Sequence, residues 1–258
     1  MPVAHEIMSY QVTGKPPKIS IVIKTKNQRY FIERSLRSIF SQALQDFEVV
    51  IVDSGSTDGA AEVVRRYESE YGVDRIRLLE IKPWEFHHVR TLNLGIEQAR
   101  GEYIVSLSGD AIPATETWLE SLAKHFGDPT VAGVYGRHLA DDDPQFLERV
   151  RVGRRYEEQL MIKTEDQDHI FSNANSMFRR DLVEEYRLDE SLPACEDYDW
   201  AREMQRRGYK IVYEPLAAVH HSHRLPILAY IKRILWFRYL RFKIDHLKRW
   251  RWLYRVLP

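Results

Sequence analysis

The run Glu196-Asp197-Tyr198-Asp199-Trp200 opens a helix-like stretch that closes on Arg206-Arg207-Gly208-Tyr209. Two adjacent acids raise one another's affinity for a proton, so such a pair can supply a base suited to taking a proton from a hydroxyl. His220, His221 and His223 follow it closely, and upstream a lone acid stands in Ser108-Gly109-Asp110-Ala111-Ile112-Pro113, just after the apolar stretch Tyr103 to Leu107. Carboxylate and imidazole are both ligands for divalent cations, and histidine-x-histidine on a strand puts both rings on one face. The chemistry on offer is removal of a proton beside a cation that neutralises developing negative charge. Three histidines alone are more often packing or surface residues, and it is their company that gives them weight.

Such residues need a frame to bring them together. Ile19 to Ile23 is a short apolar run of the kind that forms a buried parallel strand. Phe31, Leu36, Ile39 and Phe40 recur at helical spacing. Phe47 to Val52 predicts a second strand ending at Asp53, Ser54 to Gly59 a turn, and Ala60 to Tyr71 a helix. Arg75 to Ile81, Glu102 to Leu107 and Val131 to Tyr135 predict further strands, with helices over His88 to Ala99 and Thr115 to Phe126. Leu139 to Pro144, with Asp141-Asp142-Asp143, reads as a solvated loop, and Phe146 to Ile162 as a charged helix. Phe171 to Phe178 is polar at Ser172-Asn173-Ala174-Asn175-Ser176, where a strand is otherwise expected. Strands alternating with helices make an α/β fold, a mainly parallel sheet covered on both faces, with ligands bound beyond the carboxyl ends of its strands. Asp53 and Asp110 both fall at such ends, where either alone would serve as an ordinary turn or capping residue.

With 258 residues, 44% hydrophobic and 29% charged, the chain has the composition of a soluble domain with a sizeable core. One cysteine, Cys195, leaves no intramolecular disulfide. No secretory leader and no membrane span is expected, which suits a cytoplasmic protein. The zero net charge hides a division. From Arg224 to Pro258 ten Lys and Arg face one acid, a net +9, leaving 28 basic and 37 acidic residues, a net −9, in the first 223. That shift predicts a boundary: a domain over 1–223 and a basic, aromatic helical tail over 224–258 holding Trp236, Trp250 and Trp252.

The opening strand running into Thr25-Lys26-Asn27, the turn Asp53-Ser54-Gly55-Ser56-Thr57-Asp58-Gly59, the Glu196-Asp197 pair, Gly208-Tyr209 and the final histidines occur in the order found in glycosyltransferase family 2. The chain from about Ile19 to His223 resembles those inverting, nucleotide-sugar-dependent enzymes of the GT-A (Rossmann-like) fold. Arg90-Thr91-Leu92-Asn93-Leu94-Gly95, Asp110-Ala111-Ile112-Pro113, Tyr135-Gly136-Arg137, Phe171 to Ser176 and His221-Ser222-His223 are similar to its bacterial rhamnosyltransferases. One departure stands out: most members carry Asp-x-Asp where this chain has Ser108-Gly109-Asp110. A cation there must lean on phosphate and water for its remaining ligands.

The resemblance implies roles. Asp197 would deprotonate the acceptor hydroxyl, with Glu196 orienting the acceptor or tuning its neighbour; the plain reading of both is as acids at a helix start. Asp110, with His221 and His223, would hold Mg²⁺ or Mn²⁺ on the diphosphate. Thr25, Asn27, Asp53, Arg90, Ser108 and Asp110 would line the donor, Asp53 accepting from the N3–H of uracil or thymine. Asn173, Asn175 and Trp200 are candidates for the acceptor, with a core anchor on the helix the plainer reading of Trp200. Arg90 and Arg137 could be surface charges or phosphate partners. The expected function is inverting transfer of rhamnose or a hexose from a dTDP- or UDP-linked sugar to a cell-surface glycan or lipid-linked acceptor. The competing reading is a non-catalytic sugar-nucleotide-binding or scaffolding protein on the same fold. The missing G-x-G-x-x-G speaks against a nicotinamide enzyme. The tail suits an anionic membrane surface, which would make the protein peripheral on the inner face of the cell membrane. The plainer reading of the tail is packing on the domain or in a homodimer, with its basic residues exposed. The acidic body opposes nucleic acid.

Overall fold

The computed structural model describes residues 14–140, 158–221 and 226–254. The first half alternates β1 (Ile19–Thr25), α1 (Arg29–Phe40), β2 (Phe47–Asp53), α2 (Ala60–Tyr71), β3 (Ile76–Glu80), α3 (His88–Glu97) and β4 (Tyr103–Ser108). There follow β5 (Ile112–Pro113), α4 (Trp118–Ala123), β6 (Val131–Leu139), β7 (Met161–Lys163), β8 (Asn175–Arg179), α5 (Arg180–Glu185), α6 (Glu196–Arg206), β9 (Lys210–His220) and α7 (Ile227–Tyr254).

Alternation of side chains along β1 divides the core in two. Ile19, Ile21 and Ile23 face a cluster with Leu36 of α1, Val64 of α2 and Trp118 of α4. Val22 faces the opposite cluster, with Leu92 of α3, Leu182 of α5 and Trp200 of α6. Helices thus cover both faces, which is why β1 and β2 are buried along nearly their whole length rather than on alternate residues.

Among the described residues, nine strands form one sheet in the order β3-β2-β1-β4-β8-β6-β9-β5, with β7 also pairing with β9. The expected parallel sheet is found from β3 to β4. Beyond it β8 runs antiparallel between β4 and β6, while β9 is parallel to β6. The helix expected over Thr115 to Phe126 is shorter. A turn closed by Trp118 N–H on the Thr115 carbonyl precedes α4, and a 3₁₀ turn over Lys124–Gly127 follows it. The triple acid and most of the charged helix expected over Phe146 to Ile162 lie outside the described residues. At that helix's far end the chain is strand β7, which pairs with β9 and turns Lys163 inward onto the Tyr135 hydroxyl at 2.7 Å.

At the edge where the parallel strands begin, Glu48 of β2 is buried and accepts four hydrogen bonds from three residues. It accepts from the Ser20 hydroxyl at 2.7 Å, from the Arg77 guanidinium at 2.9 Å, and from both the backbone N–H and Nε of Arg100 at 2.7 Å. Strands β1, β2, β3 and the turn before β4 are thereby locked in register. Removing the carboxylate would leave the buried Arg77 without its counter-ion. Glu48→Ala should lower unfolding stability by about 3–5 kcal/mol, read as a shift of the urea midpoint at unchanged slope.

Candidate active site

Strand register assembles the site before any side chain does. Thr25 lies opposite Asp53, and Lys24 opposite Ser108, so the carboxyl ends of β1, β2 and β4 finish together. Because β8 is antiparallel, its beginning lies at the same edge, Asn175 opposite Leu107. The ends of β6 and β9 reach it too, Leu139 opposite His220. Gly109 turns the chain there in a space where a Cβ would sit 2.5 Å from the Lys24 carbonyl oxygen, so a larger residue would push Asp110 off the strand ends.

Cys195 adopts a left-handed conformation, φ 66°, and turns the chain into α6 so that Glu196 and Asp197 form its first turn. That placement suits both charges to the helix dipole. Asp197 accepts from the backbone N–H of Tyr198 at 2.8 Å and of Asn173 at 3.3 Å. Burial, and then the negative charge of Glu196, push its proton affinity above the usual carboxylate range, against the pull of those two N–H groups. Glu196 is buried, and burial works against its charge. The hydrogen bond and charge of His88, together with the Lys24 ammonium, outweigh burial and hold it ionised below the usual range. His88 Nε2 lies 3.2 Å from Glu196 Oε1, and the Asn173 side-chain amide donates to the same oxygen at 3.1 Å. Lys24 donates to the His88 carbonyl at 2.9 Å and lies 3.2 Å from its Nδ1. Burial lowers Lys24 to about 8, against the raising effect of the two acids. The outcome is one firmly ionised carboxylate beside one that holds its proton more tightly, the division that acid–base work requires.

Asp110 occupies the turn after β4, its Oδ1 accepting from the Ser108 hydroxyl and lying 3.2 Å from His221 Nε2. Behind His221, its Nδ1 meets Nδ1 of the buried His138 at 3.2 Å, and Ser172 Oγ lies 3.4 Å from His138 Nε2. Among the described residues no three His, Cys, Asp or Glu side chains are grouped to hold a metal, and His223 lies outside them. Asp110 and His221 nonetheless converge as one carboxylate and one imidazole. That donor set fits a cation that brings its other ligands as phosphate oxygens and water. Ser108, in place of a second acid, is a donor to Asp110 rather than a ligand-type anion.

On the donor side, Asp53 is buried and fully engaged in its turn. Oδ1 accepts from the N–H groups of Gly55 and Ser56 at 2.9 and 2.8 Å, and Oδ2 from the Ser56 hydroxyl. Asn27, at φ 53°, takes the Thr57 N–H at 2.8 Å and so joins the two loops. Gly55 has φ 77° and packs against Pro83. Thr25 Oγ1 donates to Gln28 at 3.3 Å. Asp53 therefore shapes the rim first, and a base N–H would reach it alongside the Ser56 hydroxyl. Arg90 is exposed and pairs with Glu190 at 3.2 Å, and Arg137 reaches Glu158 at 3.1 Å.

Asn173 is brought to the carboxylate pair, and its Oδ1 is buried with no hydrogen-bond partner among the described residues. Two other acceptor candidates are not brought there. Asn175 is buried with its amide spent on the Ala217 and Arg137 carbonyls and its oxygen on Trp118 Nε1. Trp200 is 1% exposed and lies between Phe171 and Phe178, so it anchors α6 in the core and offers no face to a sugar. Asp199 accepts from the Tyr186 hydroxyl at 3.1 Å. Lys24, His88, His138 and Ser172 join the site beyond the residues expected from the sequence. Their signals in the sequence were a lysine closing an apolar strand and a His87-His88 doublet at a helix start.

The profile of the family described as Glycosyl transferase family 2 matches residues 20–187. The O-antigen chain rhamnosyltransferase RfbN of Salmonella typhimurium is 28% identical over 215 residues, covering 80% of this chain and 67% of that protein. The O-antigen chain rhamnosyltransferase WbaN of Salmonella anatum is 30% identical over 191 residues, covering 70% and 58%. Among solved structures, the mannosyltransferase PcManGT from Pyrobaculum calidifontis in complex with GDP-Man and Mn²⁺ aligns with a TM-score of 0.63 at 25% identity, over 81% of this chain and 57% of that one. S. aureus TarS 1–349 in complex with UDP-GlcNAc shares the fold, with a TM-score of 0.63 at 19% identity over 81% and 59%. The chain thus spans 57% to 67% of the length of these proteins. The match runs from β1 through α5 and takes in Thr25, Asp53, Asp110 and Asn173: the chain belongs to glycosyl transferase family 2 and has its GT-A fold.

Proposed function

We propose that the chain is an inverting glycosyltransferase that moves rhamnose or a hexose from a nucleotide diphosphate sugar to a hydroxyl of a cell-surface glycan or lipid-linked acceptor. The observation that carries this reading is the adjacent acids Glu196 and Asp197, both held by Asn173 at the strand edge that also holds Asp110, with burial and the charge of Glu196 pushing the proton affinity of Asp197 up. Asp197 takes the proton of the acceptor hydroxyl, and that oxygen forms the new bond to the anomeric carbon. The bond to the diphosphate oxygen breaks on the opposite face, its electron pair leaving with the diphosphate. The unpartnered Asn173 Oδ1 suits a second hydrogen bond from the acceptor. Asp110 and His221 would hold Mg²⁺ or Mn²⁺, which when bound neutralises charge on the departing diphosphate. The rhamnosyltransferase relatives support dTDP-rhamnose as the first donor to test, ahead of UDP-hexoses, with GDP-mannose as the contrast. A purely sugar-nucleotide-binding protein would have no use for two acids kept at different proton affinities.

A peripheral membrane location is proposed on the form of α7. Leu240 and Ile244 pack on Cys195 and Tyr198, while Asp245 accepts from the Tyr198 hydroxyl at 3.0 Å and pairs with Arg202 at 3.2 Å. That face holds the helix to α6. Leu228, Ile231, Leu235, Trp236, Tyr239 and Phe242 are exposed, interleaved with the exposed Lys232, Arg238 and Lys243. No helix among the described residues is long and apolar enough to cross a membrane. An apolar and basic outer face is suited to lying on anionic lipid.

Released nucleotide diphosphate should appear with one donor of the panel. In Asp197→Asn its rate should fall by about 10²–10⁴ with donor affinity retained, and because the base must be unprotonated, wild-type turnover should decline as pH falls through the raised range of Asp197. Near-wild-type turnover of the variant would remove Asp197 from the mechanism. Calorimetric titration of that donor with Mn²⁺ should show Asp110→Ala losing more affinity than His221→Ala, since the carboxylate brings the formal charge. Equal affinity in wild type and Asp110→Ala would make Asp110 structural. Co-sedimentation with phosphatidylserine vesicles should be lost when Lys232, Arg238 and Lys243 are all changed to Glu, at unchanged melting temperature. A full-length protein that ignores the vesicles and dimerises through this face would overturn the membrane assignment.

A further inference from the structure

We infer that the tail helix is a working part of the active site, because α7 sets Arg241 against the residues on either side of the Glu196-Asp197 pair. Arg241 is there a positioning residue, its positive charge favouring an Asp197 that is free to take the acceptor's proton. The inference rests on the reading of Asp197 as the base.

Residues three and four apart share a face of a helix, so Phe237, Leu240, Arg241, Ile244 and Asp245 form one side of α7. All but one of them serve to attach it. Leu240 and Ile244 are buried on Cys195 and Tyr198, with Phe237 packed beside them. Asp245 takes the Tyr198 hydroxyl and pairs with Arg202. Arg241 is different, a cation among apolar neighbours. Its Cζ stands 5.1 Å from the centre of the Tyr198 ring, and its guanidinium bonds to the Cys195 thiol. Its buried Nε has no hydrogen-bond partner, and it forms no ion pair, among the described residues. A guanidinium drawn out of water in this way costs stability unless a negative charge answers it. The acid that its charge reaches is Asp197. The same Tyr198 that carries the guanidinium on its ring gives its backbone N–H to Asp197 at 2.8 Å.

The groups around Asp197 come from every element packed on it. Glu196 precedes it on α6, Lys24 comes from β1, His88 from α3 and Arg241 from α7, while Asn173 is uncharged. His88 faces Glu196, and Lys24 lies in the field of both acids. Burial raises Cys195 to about 11 and raises Tyr198 as well, so neither brings a charge at neutral pH. Burial and the Glu196 charge favour a protonated Asp197, and the two backbone N–H groups and Arg241 favour the ionised form. A cation attracts a carboxylate and is nearly indifferent to a neutral carboxyl, so removing the Arg241 charge must raise the pH at which Asp197 ionises. Loosening α7 would do the reverse, since water entering the cleft relieves the burial that is the first cause of the raised affinity. The direction of the change therefore separates a lost charge from lost packing.

The test needs no substrate. In full-length protein carrying ¹³C-labelled Asp carboxyl groups, the resonance absent from Asp197→Asn is followed from pH 4 to 8. Arg241→Gln should move its midpoint up by about half a pH unit, and Arg241→Lys, which keeps the charge, should stay close to wild type. Glu196→Gln should move the midpoint down, which checks that the signal reports the pair. Arg241→Met keeps the stem on the Tyr198 ring and drops the charge, so it should move the midpoint up as Arg241→Gln does. It decides the matter should Arg241→Gln lose its cooperative melting transition. An unmoved or lowered midpoint in the neutral variants, or an Arg241→Lys that matches them, overturns the inference. Full turnover in Asp197→Asn would sink the reading of the base. An inactive Asp197→Asn with an unmoved midpoint in Arg241→Gln would sink only the role of Arg241.

Discussion

Everything at the strand edge is arranged around one difficulty: two adjacent carboxyl groups must share a partly dry cleft without both being protonated. Like charges this close repel, and the repulsion grows as water is excluded. The fold answers by treating the two acids differently. Glu196 receives a ring N–H and an amide N–H. Asp197 receives two backbone N–H groups and is left with the higher affinity for a proton. Each acid thus accepts two N–H groups, and what separates them is charge and burial: the charges of His88 and Lys24 favour an ionised Glu196, while burial and the Glu196 charge work against ionisation of Asp197.

The partners that make the difference come from far apart in the chain, and the sheet is what brings them to one edge. Lys24 and Ser108 are opposite one another in adjacent parallel strands. The segment before β8 joins the two halves of the site. Ser106 donates to the Asn173 carbonyl at 2.6 Å and Ser108 N–H to that of Ala174 at 3.1 Å. From the same segment Asn173 reaches the acids, and Ser172 approaches the His138–His221 pair that backs Asp110. The polar residues between Phe171 and Phe178, out of keeping with a buried strand, are there because they carry these bonds. Buried polar groups are tolerated when they are partnered; in this segment Asn173 Oδ1 and Ser176 Oγ have no hydrogen-bond partner among the described residues, and the first belongs to the residue that touches both acids.

What could be read from the sequence followed from local pattern. Apolar runs ending at Ile23, Asp53 and Leu107 indicate strands and the edge at which they finish, and motif order indicates Glu196, Asp197, Asp110 and His221. What escaped it was set by pairing between distant segments. Nothing local says that β8 turns antiparallel between β4 and β6, or that Asn175 is consumed by the Ala217 carbonyl. Trp200 has the composition of a sugar platform and the environment of a core residue, and only packing against Phe171 and Phe178 distinguishes the two. His88 is one of two neighbouring histidines. His87 caps α3 by accepting from the Arg90 N–H, while His88 turns to Glu196. The tail announced itself by charge, yet its attachment through Leu240, Ile244 and Asp245 depends on residues of α6.

A base at Asp197 commits the reaction to a single displacement, because a carboxyl that takes the acceptor's proton is not the one that bonds to the sugar. The configuration of the new glycosidic bond therefore tests the account most directly. With dTDP-rhamnose and a saccharide acceptor, the anomeric signal of the first-formed product, followed by ¹H NMR during turnover, should show the configuration opposite to that of the donor. A product that keeps the donor's configuration would require a covalent or front-face route and would contradict the role given to Asp197.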